Sequence, residues 1–213
     1  MVEIKTSAEI DAMREAGRVV ARALQAAVKH AAVGVRVDEL DEVAATVIAE
    51  AGAKPAFLVT GLGEPGGAEH LSAIGALHAV AGAMGAPVGP MEGLWWVEDD
   101  RPGLEVPREQ WRWHLLLPLP AAPEPGRLEQ ARESVRPTCA AADRVRVAVF
   151  TEGQCVQMLH HGPFSEEHMT LKAMEEFMNE NELVPNGPHH EVYLTAFDDP
   201  DPRTLLRQPV RPA

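Results

Sequence analysis

GPMEGLWWVEDDRP, residues 89–102, and GPHHEVYLTAFDDP, residues 187–200, decide how this chain is read. A shift of 98 positions lays Gly89-Pro90 on Gly187-Pro188, Trp95 on Tyr193, Asp100 on Asp198 and Pro102 on Pro200, with no gap. The same shift carries Pro65, Glu69 and His70 onto Pro163, Glu167 and His168. Turn residues that coincide tie the period to backbone geometry. Each copy reads as a strand, a helix after the proline and two further strands. The expected fold class is therefore α+β: duplicated β-α-β-β modules forming a sheet, with helices on one face and a central cleft.

Residues two apart in a strand share a face. His189, Glu191 and Tyr193 therefore lie together, with Met91, Gly93 and Trp95 as their counterparts. Val192 and Leu194 take the opposite face, where the helix is expected to pack. Adjacent Trp95 and Trp96 must diverge, and the repeat assigns Trp96 to the core and Trp95 to a cleft wall. Glu191 then stands between Trp95 and Tyr193, and Gly93 leaves room opposite it.

Around this pair the elements follow in order. FLVTGLG, GLWW, WRWHLLLPL, DRVRVAVF, QCVQMLHHG, HHEVYLTA and TLLRQPV read as strands. GGAEHLSAIGALHAVAGAM, RLEQARESV and SEEHMTLKAMEEFMNENEL read as helices, the last with Met169, Met174, Phe177 and Met178 inward. Repeat 1 spans about 57–120 and repeat 2 about 143–213, with a linker at 121–142 whose start overlaps the Pro-rich stretch PLPAAPEPG, residues 118–126. The first 55 residues differ in texture and form an αα-hairpin. A capping box at Thr6 and Glu9 opens its first helix, with Ile10, Met13, Val20, Leu24 and Val28 at helical spacing. Leu40, Val43, Val47 and Ile48 form the stripe of the second, which Gly52 stops.

A formal charge of −13 and scattered basic residues argue against a nucleic-acid partner. The longest charge-free stretch, His70–Met91, is broken by Gly82, Gly85, Pro87, Gly89 and Pro90, so no membrane span is expected. The N-terminus lacks the apolar core of a signal peptide. Cys139 and Cys155 make no disulfide framework, and the expected location is the cytoplasm. The adjacent pairs His160-His161 and His189-His190 diverge on their strands, and neither HExxH nor a Cys/His quartet occurs. No metal and no cofactor are expected. GLGEPGG is Gly-rich but lacks a Lys and carries Glu64, which would repel phosphate.

The motifs GLWW, WRW, G-x-C-x-Q-M-x-H-x-G-P-F and HHEVYL, in that order, resemble the GyrI-like small-molecule-binding family over about residues 57–213. The resemblance implies a duplicated β-α-β-β fold with a ligand cleft, the family's central glutamate falling on Glu191, its aromatic partner on Tyr193 and its tryptophan pair on Trp95 and Trp96. Family members include multidrug-sensing domains, hydrolases of strained cyclopropane-containing toxins, and proteins that protect DNA gyrase. This chain departs in having no tyrosine on its first module helix and a short tail before the last strand. Residues 3–57 resemble the N-terminus of type I methionine aminopeptidases, without the metal-binding motifs that follow in that family. The peptidase activity is not carried over.

Three functions are therefore expected as alternatives. The first is binding of small aromatic or cationic organic molecules by Trp95, Gly93, His189, Glu191 and Tyr193, serving detoxification. The second is hydrolysis of a strained ring, with Glu191 as base and Tyr193 donating a hydrogen bond to the developing charge. The third is an inhibitor or antitoxin-like role, with a protein partner or a second copy met through the N-terminal hairpin. A remnant aminopeptidase without activity ranks behind these.

Overall fold

The computed structural model describes residues 7–50, 54–99, 101, 103–124 and 126–213, with side chains described from residue 17 onward in the first helix and to residue 48 in the second. The chain divides into two compact units, one of residues 1–54 with Val149–Gly153, the other of Pro55–Ala148 with Gln154–Ala213.

The first unit contains α1 (Ser7–His30) and α2 (Val37–Glu50). Ala, the strongest helix former, is the commonest residue of α1, and Lys29 and His30 in its last turn oppose the C-terminal dipole. Gly34, at φ 99°, makes the left-handed step between the helices. Arg36 pairs with Asp38 at 2.6 Å beside the start of α2. Among the described residues of α1, Val19 and Ala23 are buried, whereas Val20, Leu24 and Val28 are exposed, so over this part the expected seam is displaced by one residue. Leu40, Val43, Val47 and Ile48 are half-buried. Thr6, and the side chains of Glu9, Ile10 and Met13, lie outside the described residues, as does Gly52.

The second unit carries the duplication. Its elements are β1 (Lys54–Leu62), α3 (Ala68–Met84), β2 (Glu92–Trp96), β3 (Arg112–Pro118), α4 (Arg127–Val135), β4 (Arg146–Phe150), β5 (Cys155–His161), α5 (Glu167–Glu180), β6 (Leu183–Pro185), β7 (His189–Tyr193) and β8 (Arg203–Pro212). The sheet runs β4-β1-β3-β2-β7-β8-β5, with β6 paired to β8. One copy is β1-α3-β2-β3 and the other β5-α5-β7-β8, so the order β1-β3-β2-β7-β8-β5 is symmetric about the β2–β7 seam. That seam is antiparallel and sets Gly93 opposite Glu191, residues the repeat makes equivalent. The pseudo-twofold axis passes between them. After β2 and β7 the period changes. Trp95 pairs with Trp113 and Tyr193 with Thr204, because the β7–β8 connection is the shorter.

Both helices cover the face that carries Glu191, not the face of Val192. On α3, His70 stacks on Trp95 at 5.5 Å and meets Trp113 edge-on at 5.4 Å. On α5, Thr170 Oγ1 lies 2.9 Å from His160 Nδ1, and His160 is registered on Thr204, on the same face. The core joins Phe57, Val59, Ala76, Leu77, Val80, Trp95, Trp113 and Leu115 on this face. The expectation that Trp96 is the core member of its pair is thus reversed. Trp95 is in the core cluster, and Trp96 packs against His114 on the other face at 4.6 Å. Alternation gave the right partition and left the choice of face open. The inward stripe of α5 is Glu167, Met174 and Met178, while Met169 and Phe177 are exposed. Among the described residues no helix is long and apolar enough to cross a membrane.

Trp113 is fully buried and its indole lies over Gly61, the residue opposite it in register. A Cβ added at Gly61 would stand within the ring of Trp113. Overpacking of this kind costs about 1–3 kcal/mol. Gly61→Ala is therefore expected to lower the unfolding free energy by about that amount, read as a lower urea midpoint at unchanged slope.

Candidate functional site

The site grows from the β2–β7 seam. Glu191 and Tyr193, two apart on β7, project to the helix-covered face, and Tyr193 Oη donates to Glu191 Oε2 at 2.7 Å. Trp95 Nε1 donates in turn to Tyr193 Oη at 3.2 Å. Trp95 and Tyr193 are equivalent by the repeat, so the duplication itself builds a relay running indole N–H, phenol O–H, carboxylate. Gly93 leaves this relay its space. A Cβ there would come within 2.7 Å of both Trp95 Nε1 and Tyr193 Oη.

His189 is the next residue of the face, with Nε2 3.6 Å from Glu191 Oε1, beyond hydrogen-bond reach. Burial first, and the neighbouring His190 second, push its pKa down to about 4, so it stands neutral beside the carboxyl at pH 7. On the opposite face another pair of repeat equivalents meets at the axis, with His190 Nε2 donating to Glu92 Oε2 at 3.1 Å. Among the described residues no group of three or more His, Cys, Asp or Glu side chains is arranged to hold a metal ion.

All five expected site residues, Gly93, Trp95, His189, Glu191 and Tyr193, are thus brought to one face around the axis. The structure adds others. Glu167, the first residue of α5, is 9% exposed, and its Oε1 is buried without a hydrogen-bond partner among the described residues. Phe164 meets Tyr193 edge-on at 5.9 Å and Phe197 lies against it at 5.0 Å. Trp111 reaches Trp95 at 6.1 Å and is itself overlain by the guanidinium of Arg108 at 5.5 Å. With His70 on one side and Trp111 on the other, Trp95 is only 7% exposed. The open aromatic surfaces are instead Phe164, 43% exposed, and Phe197, 51% exposed. Glu167 was findable from sequence, since it lies seven and eleven residues before Met174 and Met178 on one helical stripe. Arg108 comes from the long connection between β2 and β3, where no periodicity guides the reading, and Trp111, the first residue of the expected strand WRWHLLLPL, stands just ahead of β3.

The electrostatics follow from burial. Glu191 is only 13% exposed, and desolvation raises its pKa to about 7 against the lowering effect of its bonds to Tyr193 and Trp95. Glu167 is raised to about 8 by desolvation and by repulsion from Glu191, with Arg108 opposing. The phenol of Tyr193 is pushed well above its ordinary value by burial and by the adjacent carboxylate. A dry carboxyl that titrates near neutrality can give or take a proton under ordinary conditions.

The sign of the stability effect is fixed by these shifts. Acids ordinarily near 4.5 that hold their protons to about 7 and about 8 stabilise the fold while protonated, and that contribution is lost as pH rises through those values. His189, depressed to about 4, acts oppositely between there and its ordinary 6.5. Stability is therefore expected to fall between pH 6.5 and 8, and Glu191→Gln to flatten that fall, measured by urea unfolding across the range.

No protein-family model and no curated protein matches the chain. Solved structures do. An uncharacterized conserved protein from Listeria innocua is 33% identical, with a TM-score of 0.66, over 75% of this chain and 88% of that one. A hydrolase from Listeria innocua is 32% identical, with a TM-score of 0.63, over the same shares. The C-terminal domain of EcmrR, 10% identical with a TM-score of 0.53 over 76% of this chain and 93% of that one, shares the fold alone. The chain belongs to the family of these Listeria innocua proteins, and its fold is GyrI-like.

Proposed function

We propose that this chain hydrolyses a small, electrophilic organic molecule at Glu191, and that a strained ring of the cyclopropane type is the substrate class. The observation that carries the reading is the bond from Tyr193 Oη to a buried Glu191, backed by Trp95 Nε1. A carboxylate that accepts the Tyr193 phenol on Oε2, with a pKa near 7, is oriented and able to deprotonate water at its other oxygen. The likeness to a protein described as a hydrolase supports the same reading.

Substrate recognition falls to the exposed rings. Phe164 and Phe197 flank Tyr193 and offer apolar area to a planar molecule. Trp95, covered by His70 and Trp111, acts as a donor rather than a stacking wall. Tyr193 donates its hydrogen bond to Glu191 in this structure, so its part is to orient the base. A role toward the substrate's developing charge would require that bond to be exchanged. Every side chain named for the site belongs to the second unit. Binding without turnover is the alternative on the same geometry, since a carboxylate among rings also suits a cation.

The two readings separate on Glu191→Gln. For a hydrolase, water addition to an acceptor-activated cyclopropane, followed by mass spectrometry, should fall at least ~100-fold, while affinity for neutral aromatic probes changes little. If the wild-type protein adds no water and Glu191→Gln loses affinity for organic cations, the chain is a cation binder and the hydrolase reading is wrong.

A further inference from the structure

Glu167 has no task in the reading above. Its counterpart one repeat earlier, Glu69, behaves as a surface acid should, pairing with Arg144 at 2.7 Å. In the second copy the carboxyl has turned inward. It is more than nine-tenths buried, and Oε1 has neither solvent nor, among the described residues, a hydrogen-bond partner. A bare carboxyl oxygen in a dry setting is unfavourable, so its presence asks for a reason.

The surroundings suggest one. Glu167 follows the turn of Phe164, whose ring stands against Tyr193, so the first turn of α5 lies beside the Tyr193–Glu191 dyad. The groups that bear on it are Glu191 and Tyr193 from β7 and Arg108 from the β2–β3 connection. Arg108 is held in place over Trp111. Neutral His189 lies at Glu191. Two carboxyls that repel one another in a desolvated space do not both ionise, and one keeps its proton.

We propose that Glu167 is the proton donor of this site, paired with Glu191 as proton acceptor, and that the pair is built for a neutral electrophilic ring rather than for an organic cation. The proposal rests on the hydrolase reading. In the step it describes, a water oxygen bonds to a ring carbon as Glu191 takes that water's proton. The ring C–C bond breaks, and its electron pair passes to the acceptor carbonyl oxygen of the substrate. Glu167 protonates that oxygen. The product is the substrate plus one water, and a proton transfer from Glu191 back to Glu167 restores the pair. Arg108 balances the single negative charge that the pair carries, so the site offers a permanent cation little net attraction. The ordering of the two acids fits these roles, since Glu167 keeps its proton to the higher pH.

The test is Glu167→Gln in the full chain, with an acceptor-activated cyclopropane as probe and two readouts. Infrared spectra at pH 7.5 should show a buried protonated-carboxyl band in the wild-type protein that Glu167→Gln removes. Hydrolysis by Glu167→Gln should fall ~100-fold or more in kcat with KM little changed, and the alkaline limb of the pH–rate profile should disappear. Wild-type turnover with Glu167→Gln undiminished, or a band that survives the substitution, overturns this proposal and leaves the hydrolase reading standing. No turnover by the wild-type protein overturns both.

Discussion

A buried phenol donating to a buried carboxylate is the interaction on which this structure turns. Neither group would be tolerated alone on that face, because each would be desolvated without a partner. Together, with Trp95 Nε1 behind the phenol, they form a short relay across the seam of two repeats. Gly93 is its necessary counterpart, since a side chain at the symmetric position would enter the space of both donors. The glycine, the tryptophan, the tyrosine and the acid are therefore one device distributed over two copies of a module.

Duplication supplies the frame, and departures from it supply the chemistry. The sheet order is symmetric, and equivalent residues meet at the axis on both faces, Trp95 with Tyr193 on one and Glu92 with His190 on the other. The functional surroundings are not symmetric. Where the second copy has Glu191, the first has Gly93; where it has the buried Glu167, the first has an ion-paired Glu69. Phe164 and Phe197 correspond to Gly66 and to Asp99, which pairs with Arg101 at 2.7 Å. In compensation the first copy contributes Arg108 and Trp111 from a longer connection. One side of the axis thus presents open rings and acids, the other a cation and covered rings, so the two halves of the proposed site differ in charge and exposure.

Much of this was legible in the residues. The gapless shift between residues 89–102 and 187–200 led to the modules and to the grouping of Gly93, Trp95, His189, Glu191 and Tyr193, whereas the pairing of β2 with β7 came from the structure. What alternation cannot supply is which face the helices choose, because Val192 and Leu194 look as core-like as Trp95 when solvent is unknown. The deciding contacts, His70 on Trp95 and Thr170 on His160, are tertiary. Met169 and Phe177 were placed inward by hydrophobicity alone, whereas the stripe of α5 begins at a glutamate. The α1 seam failed for a related reason, since its Ala-rich sequence offers two neighbouring apolar stripes of similar character. β6, three residues long and paired only to β8, left no pattern to find.

Tyr193 is the only tyrosine in the chain, so tyrosinate absorbance reports on this one hydroxyl. Alkaline spectrophotometric titration is therefore the most direct check that the phenol is buried against a carboxylate. The account predicts no ionisation of the folded protein at the ordinary tyrosine value of about 10, with tyrosinate appearing only as the chain unfolds. A reversible titration near that value in the folded state would mean a solvated phenol, and would contradict the relay from which the site is built.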